Sequence, residues 1–316
     1  MAAPRVSVVV PTYNRPARLE RLLASLSEQR LGPGEFEVVV VDDGSRGETA
    51  SVVGAWEARG RPAVRQIRFD VSRGPAAARN AGWRAAQGQL VAFTDDDCRA
   101  DPEWLSAGLE SWRAAPGSFI QGRTLPDPRD ADVRGLGARP VVVDTLGPQY
   151  QTCNIFYPRD LLERLAGFDE RYGDRPAAED TDLAWRAIAA GASPVFAPRA
   201  LVFHAVERTT VSESLRLATR WEAAMRVFSD HPETRSMLYR GMFWNVWHYL
   251  LWRSLAALAA PRWLRRMILT LHLVQLRRRA RRAGAGSWAI PYLVVHDVVE
   301  CWAVSRGAVR HRTLVL

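Results

Sequence analysis

Three consecutive carboxylates, Asp95, Asp96 and Asp97, follow an apolar run at residues 90–93. Like charges this close repel one another, and each carboxylate resists removal from water, so a cation between them would stabilise the arrangement. Mg²⁺ and Mn²⁺ favour oxygen ligands, and with a diphosphate they usually take one or two carboxylates from the protein. The triplet therefore predicts a site for a divalent metal and a diphosphate. The alternative is a solvated acidic turn before a helix that begins near Pro102.

Polar residues also follow two other apolar runs. VSVVV at residues 6–10 leads into PTYNR, and FEVVVV at residues 36–41 leads into Asp42 and Asp43 of DDGS. A carboxylate at a strand end can accept hydrogen bonds from the NH of a base or from ribose hydroxyls. An Asx-type turn that opens the next helix is the alternative for this pair.

The segment SRGPAAARNAGWRAA, residues 72–86, places Gly74 and Pro75 before a run of small residues. It predicts a helix from about Ala76 to Ala86 whose N-terminus a diphosphate can approach closely, with Arg73 and Arg79 adding positive charge. Helix packing explains the alanines equally well, but it explains the arginines less well.

A second acidic cluster lies in GFDERYGDRPAAEDTDLAWRAIAAG, residues 167–191. If a helix begins near Ala178, Glu179 and Asp180 fall in its first turn, where the helix dipole favours acids. The alternative is that one of them is a general base. Asp182 and Arg186 lie four apart and predict an ordinary surface ion pair.

A histidine also follows a late apolar run. His204 stands in ALVFHAVERTT, where it can supply a further metal ligand. A structural role for a lone histidine after a strand is the alternative.

The elements that must position these residues alternate along the chain. Apolar runs of four to six residues are separated by helical patterns of about ten, which is typical of parallel strands covered on both faces. The fold class predicted is α/β, with a doubly wound, mostly parallel sheet whose ligands lie beyond the carboxyl ends of the strands. We expect one domain at residues 1–210, with a Pro- and Gly-rich loop or lid at 123–150, and a helical region at 211–316. Helices are predicted there over roughly 235–260, 262–282 and 287–306.

The charge of the chain is uneven. All 43 basic residues are arginine and the formal net charge is +9, yet residues 235–316 hold 14 arginines and only 2 acids. Three cysteines without a CxxC pattern indicate neither a disulfide framework nor a zinc site. The apolar run at residues 6–10 is too short for a secretory signal, so a cytoplasmic protein is expected.

Taken together, the motifs resemble those of the family 2 glycosyltransferases, which are inverting enzymes with a GT-A fold. The matching segments are VSVVVPTYNRPARLERLLASL, EVVVVDDGS, GPAAARNAGWRAAQGQLVAFTDDDC and GFDERYGDRPAAEDTDLAWRA, and they span residues 5 to about 205 in the family's order. The resemblance implies a nucleotide-sugar half at residues 1–122 and an acceptor and base half at residues 151–210. It also implies a UDP-, GDP- or dTDP-linked donor and Mn²⁺ or Mg²⁺ as the metal.

The resemblance assigns a role to each candidate residue. Asp180 is the expected catalytic base, within the pair that includes Glu179. Asp97 is the expected metal ligand, with Asp95 and His204. Donor binding falls on Pro11, Thr12, Asn14, Asp42, Asp43, Arg79, Asp95 and Asp96, of which Asp43 is expected to contact the base NH.

The chain departs from the processive members of this family. Where they carry Q-x-x-R-W, this chain has LATRW, with Leu217 in place of the glutamine, and it lacks their obvious transmembrane helices. We therefore expect transfer of one sugar or a few.

The C-terminal quarter combines aromatic residues, apolar clusters and arginines. Residues 241–260 have the length of a membrane span, but Asn245, His248 and Arg253 fall inside it. The pattern predicts helices that lie in the interface of an anionic membrane at the cytoplasmic face, with a glycan or lipid-linked acceptor. Packing on the catalytic domain and dimerisation are the alternatives. No nucleic-acid-binding module is visible, so we expect no nucleic-acid partner.

Two other functions are open at this point. One is a nucleotidyltransferase that acts on sugar phosphates, although PTYNRPARL lacks the glycine-rich loop usual for that class. The other is a non-catalytic, membrane-associated protein that binds nucleotide sugars.

Overall fold

The computed structural model describes residues 3–32, 34–173 and 177–316. The chain divides into two units: residues 1–130 with 140–206, and residues 131–139 with 207–316. The first unit ends at residue 206, whereas the first domain was expected to end at residue 210. Residues 131–139 of the expected loop belong to the second unit.

The first unit alternates strands and helices. Its strands are β1 (Val6–Thr12), β2 (Phe36–Asp42), β3 (Ala63–Arg68), β4 (Leu90–Thr94), β5 (Cys98–Ala100), β6 (Ser118–Pro126), β8 (Asn154–Pro158) and β9 (Ser193–His204). Its helices are α1 (Pro16–Ser27), α2 (Thr49–Arg59), α3 (Pro75–Ala85), α4 (Trp104–Ala114), α5 (Arg159–Leu165) and α6 (Glu179–Ala189).

These eight strands form one mixed sheet in the order β3-β2-β1-β4-β8-β6-β9-β5. The first four strands in that order are parallel, as are β6 and β9, whereas β8 is antiparallel to both of its neighbours and β5 is antiparallel to β9. The predicted α/β class with a largely parallel sheet is thus observed. Of these two antiparallel strands, β5 lies directly after the triplet of aspartates and β8 lies in the expected acceptor and base half at residues 151–210.

Both faces of the sheet are covered, which explains why its strands read as continuous apolar runs. On one face Val8 and Val10 pack with Leu22 and Trp104, in the cluster that includes α1 and α4. On the other face Val9 joins a second cluster formed with α3, α5 and α6. The alternation along β1 therefore places successive valines in two separate cores.

Helix α3 lies unusually close to the sheet. A Cβ added to Gly82 would lie 2.4 Å from Val9 Cγ1 and 3.2 Å from Val41 Cγ2. Pro75 occupies the first turn of the helix, and Gly74 before it has φ 88°. Helix packing, the alternative explanation given for the small residues of this segment, is therefore observed at Gly82.

The predicted loop at residues 123–150 is interrupted by regular structure. Residues 123–126 continue β6, where they pair with β9, and Thr124 forms a bridge with Val143. A short 3₁₀ turn follows at Pro128–Asp130. Pairing with β9 thus outweighs the Pro- and Gly-rich composition at the start of this segment.

The second unit is mainly helical. It contains β7 (Ala138–Arg139) paired with β10 (Glu207–Arg208), and the helices α7 (Val211–Ala218), α8 (Trp221–Asp230), α9 (Val246–Ala256), α10 (Arg262–Arg282) and α11 (Ile290–Arg310). The bounds of α10 are those predicted, whereas the helix expected over 235–260 is confined to α9 and short 3₁₀ turns. In the part of the chain that the structure describes, none of the helices has the length and apolar character needed to cross a bilayer.

Candidate active site

The carboxyl ends of β1, β2 and β4 meet at one edge of the sheet, as predicted from their apolar runs. In β1 and β2, Thr12 lies in register with Asp42, and the amide of Asp43 donates to the carbonyl of Thr12 at 2.9 Å. The hydroxyl of Thr12 reaches across to β4 and donates to Asp96 Oδ2 at 2.7 Å. Polar groups from three strand ends are therefore directly bonded to one another.

The loops after β1 and β2 are also tied together. The amide of Asn14 donates to Ser45 Oγ at 2.8 Å, and Asn14 Oδ1 accepts from the amide of Arg46 at 2.7 Å. Asn14 has φ 56°, a left-handed conformation that asparagine tolerates better than most residues. Asp42 Oδ1 accepts from the amide of Ser45 at 2.8 Å. Pro11, the penultimate residue of β1, is half-buried.

Asp43 organises the turn before α3. Its carboxylate accepts hydrogen bonds from the Arg73 amide at 2.7 Å, from Ser72 Oγ at 2.6 Å and from the Gly74 amide at 3.0 Å. A carboxylate offers about four acceptor positions, so one position is left for the contact to a base NH that the resemblance implies. The Asp42–Asp43 pair thus does more than open an Asx turn, because it joins β2 to the start of α3.

Each carboxylate of the triplet meets a different set of partners. Asp95 Oδ1 accepts from Arg79 Nη2 at 2.9 Å. Asp96 is held by Thr12 and lies 3.4 Å from Arg15 Nη1. Each of the three like charges therefore has a cationic neighbour, and Asp96 shares Arg15 with Asp97.

Asp97 is the carboxylate of the triplet that meets an imidazole. Its Oδ2 lies 3.0 Å from Arg15 Nη1 and 3.2 Å from Arg18 Nη1, and its Oδ1 lies 3.3 Å from His204 Nε2. Asp97 and His204 are far apart in the sequence, and β5 brings them together because Cys98 pairs with His204 in the antiparallel register with β9.

Asp96 is almost fully buried, at 4% exposure. Burial, followed by the adjacent charge of Asp97, raises the pKa of Asp96 to about 7, although Arg15 and the Thr12 hydroxyl oppose the shift. Its carboxyl group is therefore suited to structural hydrogen bonding within the site, where it fixes β1 to the loop after β4.

The Asp97–His204 pair has the donor chemistry of a metal site. His204 Nδ1 lies 2.9 Å from the carbonyl oxygen of Ala205, which only accepts, so Nδ1 carries the proton. In the neutral ring the lone pair of Nε2 then faces the Asp97 carboxylate, an arrangement that a cation stabilises. Cys98 completes a group whose possible ligand atoms all lie within 4.8 Å, but burial raises the pKa of its thiol well above the usual range. The nitrogen and oxygen donors, without the thiol, fit Mn²⁺ or Mg²⁺.

Asp95 is not a member of that group of possible ligands. Its carboxylate is directed to the buried guanidinium of Arg79, which lies between Asp95 and Glu179. The structure thus brings Asp97 and His204 together and places Asp95 on Arg79, 2.9 Å away.

Glu179 and Asp180 differ in their surroundings. Glu179 is 3% exposed and is held by Arg79 Nη1 at 3.0 Å and by the amide of Ala177 at 2.8 Å. Burial and then the charge of Glu179 raise the pKa of the half-buried Asp180 to about 7, against the opposing effects of the Thr181 amide and Arg79. A carboxyl group with a pKa near neutrality is suited to general base catalysis, which fits Asp180. Glu179 instead holds Arg79 in place.

The predicted surface pair of Asp182 and Arg186 is in fact part of the interior. The two side chains are in contact at 2.8 Å, but Asp182 is only 3% exposed. Arg186 also donates to the carbonyls of Leu165 and Gly167, each at 2.8 Å. The pair joins α6 to the end of α5, so the prediction of a surface position was wrong.

Two functional candidates were not found from the sequence. Arg15 and Arg18 lie three residues apart at the start of α1, and both contact Asp97. The available signal was their spacing, which puts them on one helix face directly after a strand end.

Comparison with known proteins supports the same interpretation. The glycosyl transferase family 2 model matches residues 7–165, half of the chain, and the glycosyl transferase family group 2 model matches residues 150–281. Validoxylamine A glucosyltransferase of Streptomyces hygroscopicus subsp. limoneus is 32% identical over 223 residues, which are 60% of this chain and 49% of that protein. Pre-mycofactocin glycosyltransferase of Mycobacterium tuberculosis is 33% identical over 213 residues, 63% of this chain and 42% of that protein. The matched region thus spans about half the length of these relatives.

Solved structures share the fold. The mannosyltransferase PcManGT from Pyrobaculum calidifontis, in complex with GDP-Man and Mn²⁺, has a TM-score of 0.62 at 24% identity, over 99% of this chain and 88% of that one. S. aureus TarS 1–349 in complex with UDP-GlcNAc has a TM-score of 0.57 at 17% identity, over 98% of this chain and 92% of that one. The predicted GT-A-like α/β fold is therefore confirmed. The chain belongs to glycosyl transferase family 2, as its motifs predicted.

Proposed function

We propose that the chain transfers a sugar, with inversion, from a UDP-, GDP- or dTDP-linked donor to a hydroxyl of a glycan or lipid-linked acceptor. The observation that supports this most strongly is the meeting of Asp97 with His204, and of Asp95 with Arg79 and Glu179, at one sheet edge. Because LATRW replaces the processive motif, we propose the addition of one sugar or a few.

Asp180 is the general base in this proposal. Its pKa of about 7 leaves a large ionised fraction at neutral pH while keeping the group basic enough to take a proton. The acceptor oxygen attacks the anomeric carbon as its proton passes to Asp180, and the nucleoside diphosphate leaves with the electron pair of the broken bond. A single displacement of this kind inverts the configuration at that carbon.

Negative charge grows on the diphosphate as it leaves, and cationic groups fixed nearby stabilise it. Arg79 is buried at 4% exposure and is oriented by two carboxylates, so it needs little reorganisation during the reaction. Arg15 and Arg18 add two further guanidinium groups beside Asp97.

Asp97 and His204 would hold the divalent metal, whereas Asp95, which the resemblance also implied as a ligand, contacts Arg79. When bound, Mn²⁺ or Mg²⁺ would act as a Lewis acid toward the diphosphate oxygens. PcManGT, whose fold is similar, was solved with GDP-Man and Mn²⁺.

The nucleoside is proposed to bind along the joined loops after β1 and β2. The residues concerned are Pro11, Thr12, Asn14, Asp42 and Asp43, with Asp96 held by Thr12 behind them. The hydrogen bonds between the loops give this surface a fixed shape before the donor arrives, which limits the entropy lost on binding.

The proposal is tested by incubating the chain with a panel of UDP-, GDP- and dTDP-sugars, with and without Mn²⁺, and identifying the products. Free nucleoside diphosphate is expected, whereas pyrophosphate would indicate a nucleotidyltransferase. Asp97→Ala and Asp180→Asn should abolish most of the turnover, and Asp160→Asn, an exposed residue of α5, is the matched control. Activity of both site variants equal to that of the parent would overturn the assignment.

A further inference from the structure

Large apolar side chains are exposed mainly in the second unit. Among the described residues, 16 of the large hydrophobic side chains classed as exposed lie there, and only four lie in the larger first unit. Soluble proteins rarely leave extended apolar surface without a partner. The second unit is therefore where an interaction surface is to be sought.

Several of the exposed apolar side chains on the two longest helices follow helical spacing, although Leu269 and Leu273 of α10 are also exposed on another side of that helix. On α10, Trp263, Met267 and Leu271 lie at steps of four and are 69%, 48% and 47% exposed. On α11, Val298 and Trp302 are also four apart, and are 48% and 54% exposed. Each helix thus carries an apolar stripe that faces away from its own packing contacts.

Arginines flank the stripe of α10. Six of them are exposed and have no carboxylate within 4.0 Å in the described part of the chain. They are Arg262, Arg266, Arg277, Arg278, Arg281 and Arg282. Four stand in the last two turns, beyond the apolar stripe, so the helix has an apolar portion and a strongly cationic end.

Residues 235–316 offer no exposed acidic side chain to balance these charges. Their two acids are Asp297 and Glu300, at 2% and 9% exposure. Asp297 is paired with Arg279 at 2.8 Å, and Glu300 lies 3.3 Å from His248 Nε2. Both carboxylates are therefore used in internal contacts, and the helical surface of residues 235–316 is left with one sign of charge.

Exposed apolar stripes together with unbalanced arginines distinguish between the partners that could bind this surface. A second copy docking through the same stripes would bring cationic surfaces together with no exposed carboxylate from residues 235–316 to pair with them. A polyanion would neutralise the arginines but leave the tryptophans and leucines in water. An anionic bilayer interface matches both features, because it accepts apolar side chains and attracts arginine.

We propose that the stripes of α10 and α11, with the arginines of α10, bind the surface of an anionic membrane. Trp263, Met267, Leu271, Val298 and Trp302 enter the interface, and the arginines contact the lipid headgroups. This inference is independent of the proposed chemistry, since it depends on none of the active-site residues.

The test uses the full chain and vesicles of phosphatidylcholine, with or without phosphatidylglycerol, in a sedimentation assay. Binding is expected to be at least about tenfold tighter to the anionic vesicles and to weaken as salt rises. Asp97→Ala should bind vesicles as the parent does, so failure of catalysis and failure of membrane binding are distinguishable. Equal binding to both vesicle types, or none, would overturn the proposal.

Two sets of variants separate charge from apolar contact. Replacing Arg277, Arg278, Arg281 and Arg282 together by Gln should weaken binding about tenfold or more. Trp263→Gln with Trp302→Gln should weaken it at low and high salt alike. The matched charge control replaces four exposed arginines of the first unit. These are Arg61, Arg113, Arg164 and Arg199.

An equal loss in the control set would show that only net charge matters and would reject the assigned surface. Light scattering of the chain without vesicles tests whether a second copy of the chain binds the stripes. Concentration-dependent dimers that disappear in the Trp263→Gln, Trp302→Gln variant, without vesicle binding by the parent, would assign the stripes to a second copy instead. Thermal melting of each variant checks its folding, and the salt series on the parent needs no variant.

Discussion

The pKa of Asp180 predicts a specific pH dependence for transfer. Since the proposed base must be ionised, and its pKa is about 7, kcat/KM should rise about tenfold per pH unit below that value and level off above it. Asp180→Asn should lower the rate by about 10²- to 10⁴-fold and remove this limb of the profile. Initial rates of nucleoside diphosphate release between pH 5 and pH 9 measure both effects.

Glu179 supplies a sharper test, because its charge is the second cause, after burial, of the raised pKa of Asp180. Glu179→Gln removes that charge and also releases Arg79, which lies 3.0 Å from Glu179 and favours ionised Asp180. Both changes lower the pKa of Asp180, so the rising limb should move to lower pH by about one unit, equivalent to about 1.4 kcal/mol. Asp160→Asn should leave the limb in place. If the rising limb of the pH profile does not move in Glu179→Gln, or is still present in Asp180→Asn, Asp180 is not the general base.

The same shift has a consequence for folding. A carboxyl group whose pKa is raised in the folded state retains its proton after the unfolded chain has lost it, so its contribution to stability falls as pH rises from about 4 to 7. Asp180→Asn should therefore gain stability relative to the parent at pH 8 but not at pH 4, as measured by urea denaturation. The opposite sign would mean that the carboxylate is better stabilised in the folded chain than its burial indicates.

Two further predictions concern the metal and the backbone. Asp97→Ala and His204→Ala should each weaken Mn²⁺ binding at least about tenfold, as measured by calorimetry, and an unchanged affinity would exclude that pair as the ligands. Gly44→Ala should destabilise the fold by at least about 1 kcal/mol more than Gly117→Ala. Both glycines have φ 80°, but a Cβ on Gly44 would lie 2.9 Å from the backbone of Ser72, whereas one on Gly117 would have no neighbour within 4 Å among the residues that the structure describes. Equal melting temperatures for these two variants would contradict the clash.

The sequence predicted those features for which a residue pattern is compatible with a single structure. Apolar runs followed by polar residues located the shared edge of β1, β2 and β4, because parallel buried strands must end together. The alternation of arginine clusters and apolar residues after Pro261 was sufficient to predict α10 from Arg262 to Arg282.

Contacts between distant segments could not be predicted in the same way. Arg18 meets Asp97 across 79 residues of sequence, and neither residue type specifies the other. Likewise, Asp43 was recognised as polar and near a ligand, but its bonds to Ser72, Arg73 and Gly74 depend on how α3 packs on the sheet. The difference between Glu179 and Asp180 arises from burial, which a sequence pattern of two adjacent acids does not contain.

The pairing of β9 has a consequence for how the chain can change in length. Gly122 and Arg123 are consecutive in β6, yet they face Ala197 and Leu201, so three residues of β9 are accommodated in a bulge. Beyond the bulge, a deletion of one residue would turn the imidazole of His204 to the opposite side of the strand. Insertions and deletions should therefore be tolerated at the exposed residues 198 and 199 and selected against at residues 200–204, because Ala200 is buried and its carbonyl accepts from Asn154 Nδ2 at 2.8 Å. A library of single-residue deletions would display that boundary directly.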